Sequence, residues 1–196
     1  MGESKAITLP LTDEAIEGLR IGDHVEFSGV IHTARDAAHK RIVTMSDAGE
    51  ELPLDLRGQV IYYVGPTPAR PGQPIGSAGP TTAMRLDPYT PRMLELGVKG
   101  MIGKGGRGRA VREAIQESHA VYCIAVGGTG ALLNRHITSA EVVAFEDLGT
   151  EAIRRLEVER FPAIVVNDAF GGDLLEAGRR QYRTSSRPVP IGGGGA

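Results

Sequence analysis

Residues 98–126 constrain this 196-residue chain more than any other segment. A short apolar run (Val98, Met101, Ile102) leads into the loop Gly103-Lys104-Gly105-Gly106-Arg107-Gly108. A helical pattern over residues 109–118 follows, then the strand-like run Ala120-Val121-Tyr122-Cys123-Ile124-Ala125-Val126. This is a βαβ unit with a glycine loop at the helix N-terminus, so the chain belongs among α/β folds. Gly103, Gly105 and Gly108 satisfy G-x-G-x-x-G. A dinucleotide site also needs an acid at the end of the next strand, and that strand ends in Gly127-Gly128-Thr129-Gly130. A Walker A loop would need a Lys-Ser/Thr ending, which is missing. Three readings stay open: a nucleotide, a small carboxylate or phosphate group held by open amides, the helix dipole and Lys104, or a structural glycine turn.

Charge narrows the function classes. The chain carries 22 Lys+Arg against 24 Asp+Glu, a net charge of −2. That balance gives no global electrostatic argument for nucleic acid or an anionic membrane. The start, MGESKAITLP, lacks the apolar core of a signal peptide, and no apolar run is long enough to span a bilayer. A cytoplasmic location is expected. With one cysteine, Cys123, no internal disulfide and no cysteine-ligated cluster can be built from this chain alone. Tryptophan is absent and glycines number 27, so the core is expected to be aliphatic, with many tight turns.

Along the rest of the chain, residues 5–10 read as a strand, and Thr12 caps a short helix over residues 13–18. Residues 25–31 (VEFSGVI) alternate as a half-buried strand, with Phe27 and Gly29 on one face. Thr33 is placed to cap a helix from Ala34 into Ile42, on which Arg35 and His39 share one face. Either this is a site at a strand-to-helix junction, or it is a solvated amphipathic helix. Residues 59–64 (QVIYYV) form a strong buried strand. Residues 89–96 read as a helix with Thr90 as N-cap, Pro91 at the first position and Gly97 as C-cap. A short helix or loop over 131–139, a strand over 141–145, a short helix over 150–155, and residues 158–161 leading to an aliphatic strand over 163–166 complete the pattern. A domain over residues 1–177 and a flexible or partner-ordered tail over 178–196 are expected.

Residues 72–91 (GQPIGSAGPTTAMRLDPYTP) fit neither helical nor strand periodicity. They carry Ser77, Thr81 and Thr82, then Arg85 and Asp87. A loop stiffened by proline, with hydroxyls and a guanidinium, suits a carboxylate ligand. An ordinary surface crossover with Arg85 in an ion pair is the alternative.

Several segments in order resemble one family. They are Gly29-x-Ile31-x-Thr33-Ala34-Arg35-Asp36-Ala37-Ala38-His39-Lys40, Tyr63-Val64-Gly65-Pro66, residues 76–87, Gly100-Met101-Ile102-Gly103-Lys104-Gly105 and Phe161-Pro162-Ala163-x-x-Val166-Asn167-Asp168. Together they resemble the β subunit of class I (iron–sulfur) fumarate hydratase, and the β subunit of L(+)-tartrate dehydratase is similar. The resemblance implies a swivelling β/β/α domain and a partner α subunit. That subunit holds a [4Fe–4S] cluster by three cysteines, leaving an open iron as Lewis acid. No cluster is expected on this chain. The site then lies between the subunits and takes a C4 dicarboxylate, and a dimer of αβ pairs fits the family.

By the same resemblance, Thr81 removes the C3 proton, Arg35 and Lys104 bind the two carboxylates, and Arg85 lies near the base. Asp36, His39, Ser77 and Asp87 are expected to support them, with Asp87 holding Arg85. Met84 and the tail depart from the family pattern. The implied activity is a hydro-lyase interconverting (S)-malate and fumarate plus water. Alternatives are L(+)-tartrate dehydration or a non-catalytic carboxylate-binding assembly subunit.

Overall fold

In the computed structural model, which describes residues 3–126 and 128–183, four parallel strands lie side by side. They are β2 (His24–Thr33), β3 (Val60–Tyr62), β4 (Gly100–Gly103) and β5 (Val121–Ile124). Their registers run His32↔Ile61, Ile61↔Met101 and Ile102↔Cys123. The fifteen-residue β7 (Ile153–Asn167) runs antiparallel to β5 at Ile124↔Ile164. It also runs antiparallel to β2 at Val25↔Ala163, Phe27↔Phe161 and Ile31↔Leu156. The order β2-β3-β4-β5-β7 therefore closes on itself, and this α/β fold is built on a small barrel. β1 (Lys5–Thr8) extends the β3 edge of β2, and β6 (Ile137–Ala144) extends the β5 edge of β7.

Strands buried on both faces read as continuous apolar runs, and β3 with its extension does so. Val60, Tyr62 and Val64 point into the barrel with Phe27, Ile31, Ile102, Cys123, Phe161 and Val165. Ile61 and Tyr63 point outward with Met101, Tyr122 and Val166. Helices cover that outer face: α2 (Asp36–Asp47) through Ala38 and Ile42, α3 (Thr90–Glu95) through Met93 and Leu94, and α4 (Arg109–Glu117) through Val111 and Ile115. Each of the larger of these side chains (Ile, Met, Leu, Val) taken from water is worth about 1.5–3 kcal/mol. The α1 helix (Asp13–Glu17) is capped by Thr12, whose hydroxyl accepts from the Ala15 N–H at 3.2 Å. The remaining α-helices among the described residues are α5 (Gly130–Leu133) and α6 (Leu174–Tyr182).

Several local expectations change. β2 continues through Thr33 because β7 pairs with it as far as His32, so Thr33 does not cap α2. Its hydroxyl instead donates to the Ala152 carbonyl (3.2 Å) and accepts from the Arg154 N–H (2.9 Å), while Arg35 stands at the N-cap. The alternation in β2 slips at a bulge between Phe27 and Gly29. Gly29 there has φ +124°, and a Cβ would lie 3.0 Å from that of Leu9. Thr90 is the first residue of α3 rather than its cap. Residues 146–151 form a 3-10 turn and β7 begins at Ile153, so no helix spans 150–155. Pairing on both edges of β7, with β2 and with β6, outweighs local propensity there. Residues 178–182 belong to α6, which Asp173 caps by accepting the Glu176 N–H at 3.0 Å. Residues 184–196 of the expected tail lie outside the described residues.

Candidate active site

In open parallel sheets ligands bind beyond the carboxyl ends of the strands, where the chain leaves the hydrogen-bonded ladder. Here the ends of β3 and β4 part, and the glycine- and proline-rich crossover returns between them. Val64 bridges Pro80, then the Thr81 N–H donates to the Tyr63 carbonyl at 2.6 Å. The Lys104 N–H donates to the Thr81 carbonyl at 3.1 Å, and the Ala83 N–H to the Lys104 carbonyl at 2.9 Å. Thr81 and Lys104 thus become backbone neighbours although they come from different crossovers. The 3-10 turn Ala83–Leu86 follows at once and carries Arg85.

Arg35 arrives from the end of β2. Its Nη2 lies 3.5 Å from Glu151 Oε1 and 3.8 Å from Asp36 Oδ2. Glu151 also accepts the Ala37 N–H at 2.8 Å, in the first turn of α2. The other oxygen of Asp36 accepts from Arg85 Nε at 3.1 Å. Asp36 therefore links Arg35 to Arg85. Gly65 leaves room for the first of them, since a Cβ there would meet the Arg35 guanidinium at 2.6 Å. Among the described residues, neither the Lys104 ammonium nor the Thr81 hydroxyl has a hydrogen-bonding or charged partner. Arg85 is 55% exposed and Lys104 is exposed, while Arg35, Asp36 and Thr81 are partly buried. A separate cleft of about 350 Å³ is lined by Met84, Arg107, Arg112, Asp173, Glu176 and Arg179 and by none of these cluster residues.

Not every expected residue joins this cluster. Asp87 does not hold Arg85. It pairs with Arg107 (Nε–Oδ1 2.9 Å) and accepts the Gly108 N–H at 2.7 Å. The N-terminus of α4, an expected anion site, is thus occupied by the chain's own carboxylate. Ser77 lies apart, its N–H donating to Thr67 Oγ1 at 2.8 Å and its hydroxyl packed against Gly130. His39 is buried, with Nδ1 2.8 Å from the Arg35 carbonyl and its ring edge-on to Tyr63 at 5.4 Å. Burial drives its pKa down to about 4, so the imidazole is neutral at pH 7 and donates from Nδ1 to that carbonyl. It can steady Arg35 but it does not face a ligand.

Local reading missed Glu151, Arg107, Tyr63 and Thr90. Arg107 is fully buried and donates to the Tyr63 hydroxyl at 3.1 Å and to Thr90 Oγ1. The available signal was an arginine set among glycines, three residues after Lys104. The residues present do not fit an iron–sulfur cluster. Cys123 points into the barrel, and burial pushes its thiol up to about 12, so it is protonated.

Comparison with known proteins shows the family. The family model described as "Fumarase C-terminus" matches residues 2–178. A putative fumarate hydratase class I of Geobacillus stearothermophilus is 36% identical over 181 residues, 89% of this chain and 34% of that protein. The anaerobic fumarate hydratase class I of Escherichia coli is 36% identical over 183 residues, covering 89% and 33%. The chain spans about a third of the length of these two relatives. A putative L(+)-tartrate dehydratase subunit beta of Methanocaldococcus jannaschii is 35% identical over 172 residues, 85% of this chain and 88% of that protein. The chain belongs to the fumarase C-terminal family.

Proposed function

We propose that this chain is the β subunit of a two-subunit [4Fe–4S] hydro-lyase that interconverts (S)-malate and fumarate plus water. The observation that carries the reading is the grouping at the ends of β2, β3 and β4. Thr81 is clamped by backbone bonds beside Lys104, and the linked pair Arg35–Arg85 follows it. A C4 dicarboxylate needs two cationic anchors, one for each end, and Arg35 and Lys104 supply them. In dehydration a proton leaves C3 and hydroxide leaves C2, giving fumarate and water. Thr81 Oγ takes the C3 proton. Threonine is a weak base unaided, and the guanidinium of Arg85, carried by the turn that follows, favours its alkoxide form.

The open position of the cluster is that of half a site, completed by a partner. The α subunit is that partner and carries the [4Fe–4S] cluster, since this chain's one cysteine lies inside the barrel. The family reading also supports the swivelling β/β/α description of the barrel, a cytoplasmic location and a dimer of αβ pairs. No helix among the described residues is long and apolar enough to cross a membrane.

A second reading, L(+)-tartrate dehydration, is favoured by one observation: the relative that the chain matches over 88% of its length is named for that activity. The test is anaerobic turnover of fumarate and of tartrate, by this chain alone and mixed with a cluster-bearing α subunit from the same source. Fumarate hydration in the mixture only is the expected result, and turnover of tartrate only would reassign the substrate. Thr81→Ala should lower kcat by at least about two orders of magnitude with the complex intact. Full activity of that variant would favour the non-catalytic assembly subunit.

A further inference from the structure

We infer that Arg107 is a positioning residue which holds the segments of Thr81, Arg85 and Lys104 in one arrangement from beneath the surface. Its side chain is 0% exposed. A buried guanidinium is costly and is stabilised only when several groups meet it. Four do so here. Nε lies 2.9 Å from Asp87 Oδ1, a close ion pair poorly aligned for a hydrogen bond. Nη1 donates to the Tyr63 hydroxyl at 3.1 Å, Nη2 donates to Thr90 Oγ1, and the guanidinium lies 5.1 Å from the centre of the Tyr122 ring.

Each partner belongs to a segment that carries a site residue. The Tyr63 carbonyl accepts the Thr81 N–H at 2.6 Å. Asp87 directly follows the turn bearing Arg85, and Thr90 Oγ1 donates to Leu86 of that turn at 2.8 Å. Arg107 itself follows Lys104 by three residues, and the Tyr122 hydroxyl ties the intervening Gly105 carbonyl at 2.8 Å. One planar group with five donors thus joins three loops that sequence leaves far apart. A lysine has one compact head and cannot reach Asp87, Tyr63 and Thr90 together.

The inference deepens the proposed function, and its test separates the two. Arg107→Lys keeps the charge, and Tyr63→Phe removes one oxygen while leaving the ring. Amide hydrogen exchange of the full chain compares Thr81, Ala83 and Lys104 with Leu9 and Val165, whose amides donate to Ser28 and Asp23 far from the loops. In both variants the three site amides should exchange at least about tenfold faster, with the two distant amides unchanged. Unchanged site amides in Tyr63→Phe would overturn the inference, and that variant decides alone should Arg107→Lys fail to fold.

In the assembled enzyme, Arg107→Lys should lower kcat/KM for the dicarboxylate roughly 10- to 100-fold, with KM raised and kcat reduced. Wild-type kcat and KM in the folded complex would mean that Arg107 only stabilises, and would also overturn the inference. If the wild-type complex turns over neither fumarate nor tartrate, the functional reading fails, while the exchange result still decides the role of Arg107.

Discussion

Inside the barrel, Phe27, Ile31, Ile102, Phe161 and Val165 pack on one another, and the Tyr62 hydroxyl is satisfied by the Ala78 carbonyl. On the outer face, under α2, α3 and α4, the buried set includes Arg107, His39 and Thr90 around Tyr63. Both layers are closed to water, but only the second contains a buried charge, Arg107, among several polar partners. An apolar core of the right volume tolerates small rearrangements, whereas a buried polar network holds one arrangement. The difference assigns the layers distinct work. The barrel interior supplies stability, and the helix-covered layer fixes where Arg35, Thr81, Arg85 and Lys104 stand.

Paired substitutions can break this comparison. Phe161→Ala inside the barrel and Arg107→Met outside it should each destabilise the protein by about 3–5 kcal/mol, read from urea unfolding. Folded Phe161→Ala should keep wild-type KM and kcat in the complex, and Arg107→Met should not. A KM change in Phe161→Ala would end the division of labour.

Acidification sharpens the comparison next. His39 has its pKa lowered from 6.5 to about 4 in the folded protein, so the unfolded chain takes up the proton first as pH falls. Its contribution is fully present above pH 6.5 and is lost as pH falls toward 4, by about 3 kcal/mol. Unfolding free energies of wild type and His39→Gln should therefore converge over that window, and parallel pH profiles would contradict the buried, neutral imidazole.

Smaller effects follow at two further positions. Gly65→Ala pushes a methyl against the Arg35 guanidinium, and overpacking of this kind costs about 1–3 kcal/mol. KM for the dicarboxylate should rise with it, and an unchanged KM would argue against Arg35 as a carboxylate anchor. Ile31→Val in the barrel should cost about 0.5–1.5 kcal/mol and leave kinetics untouched. Any kinetic effect there would show coupling between the layers.

Much of the strand and helix order was legible because each run carries its own periodicity and punctuation. The βαβ unit over β4, α4 and β5 lies where the glycine loop and the apolar runs indicated, and Thr12 caps α1 as its hydroxyl suggests. β7 was less legible. Its fifteen residues pair in turn with β2, β5 and β6, and its register shifts hide any simple alternation. In the candidate site, Asp36 links Arg35 to Arg85 and backbone bonds set Thr81 beside Lys104, while the expected carboxylate pairing does not form. Asp36, rather than Asp87, meets Arg85, across 49 residues of sequence.

The sequence by itself determined the α/β class and the family, because local patterning and ordered motifs express them directly. Only the tertiary structure decided that the sheet closes through β7, that Asp87 belongs to Arg107 and the start of α4, and that His39 faces inward. The physical reason is distance. A charge pairs with whatever the fold brings within a few ångströms, and that neighbour is set by packing among segments remote in the chain.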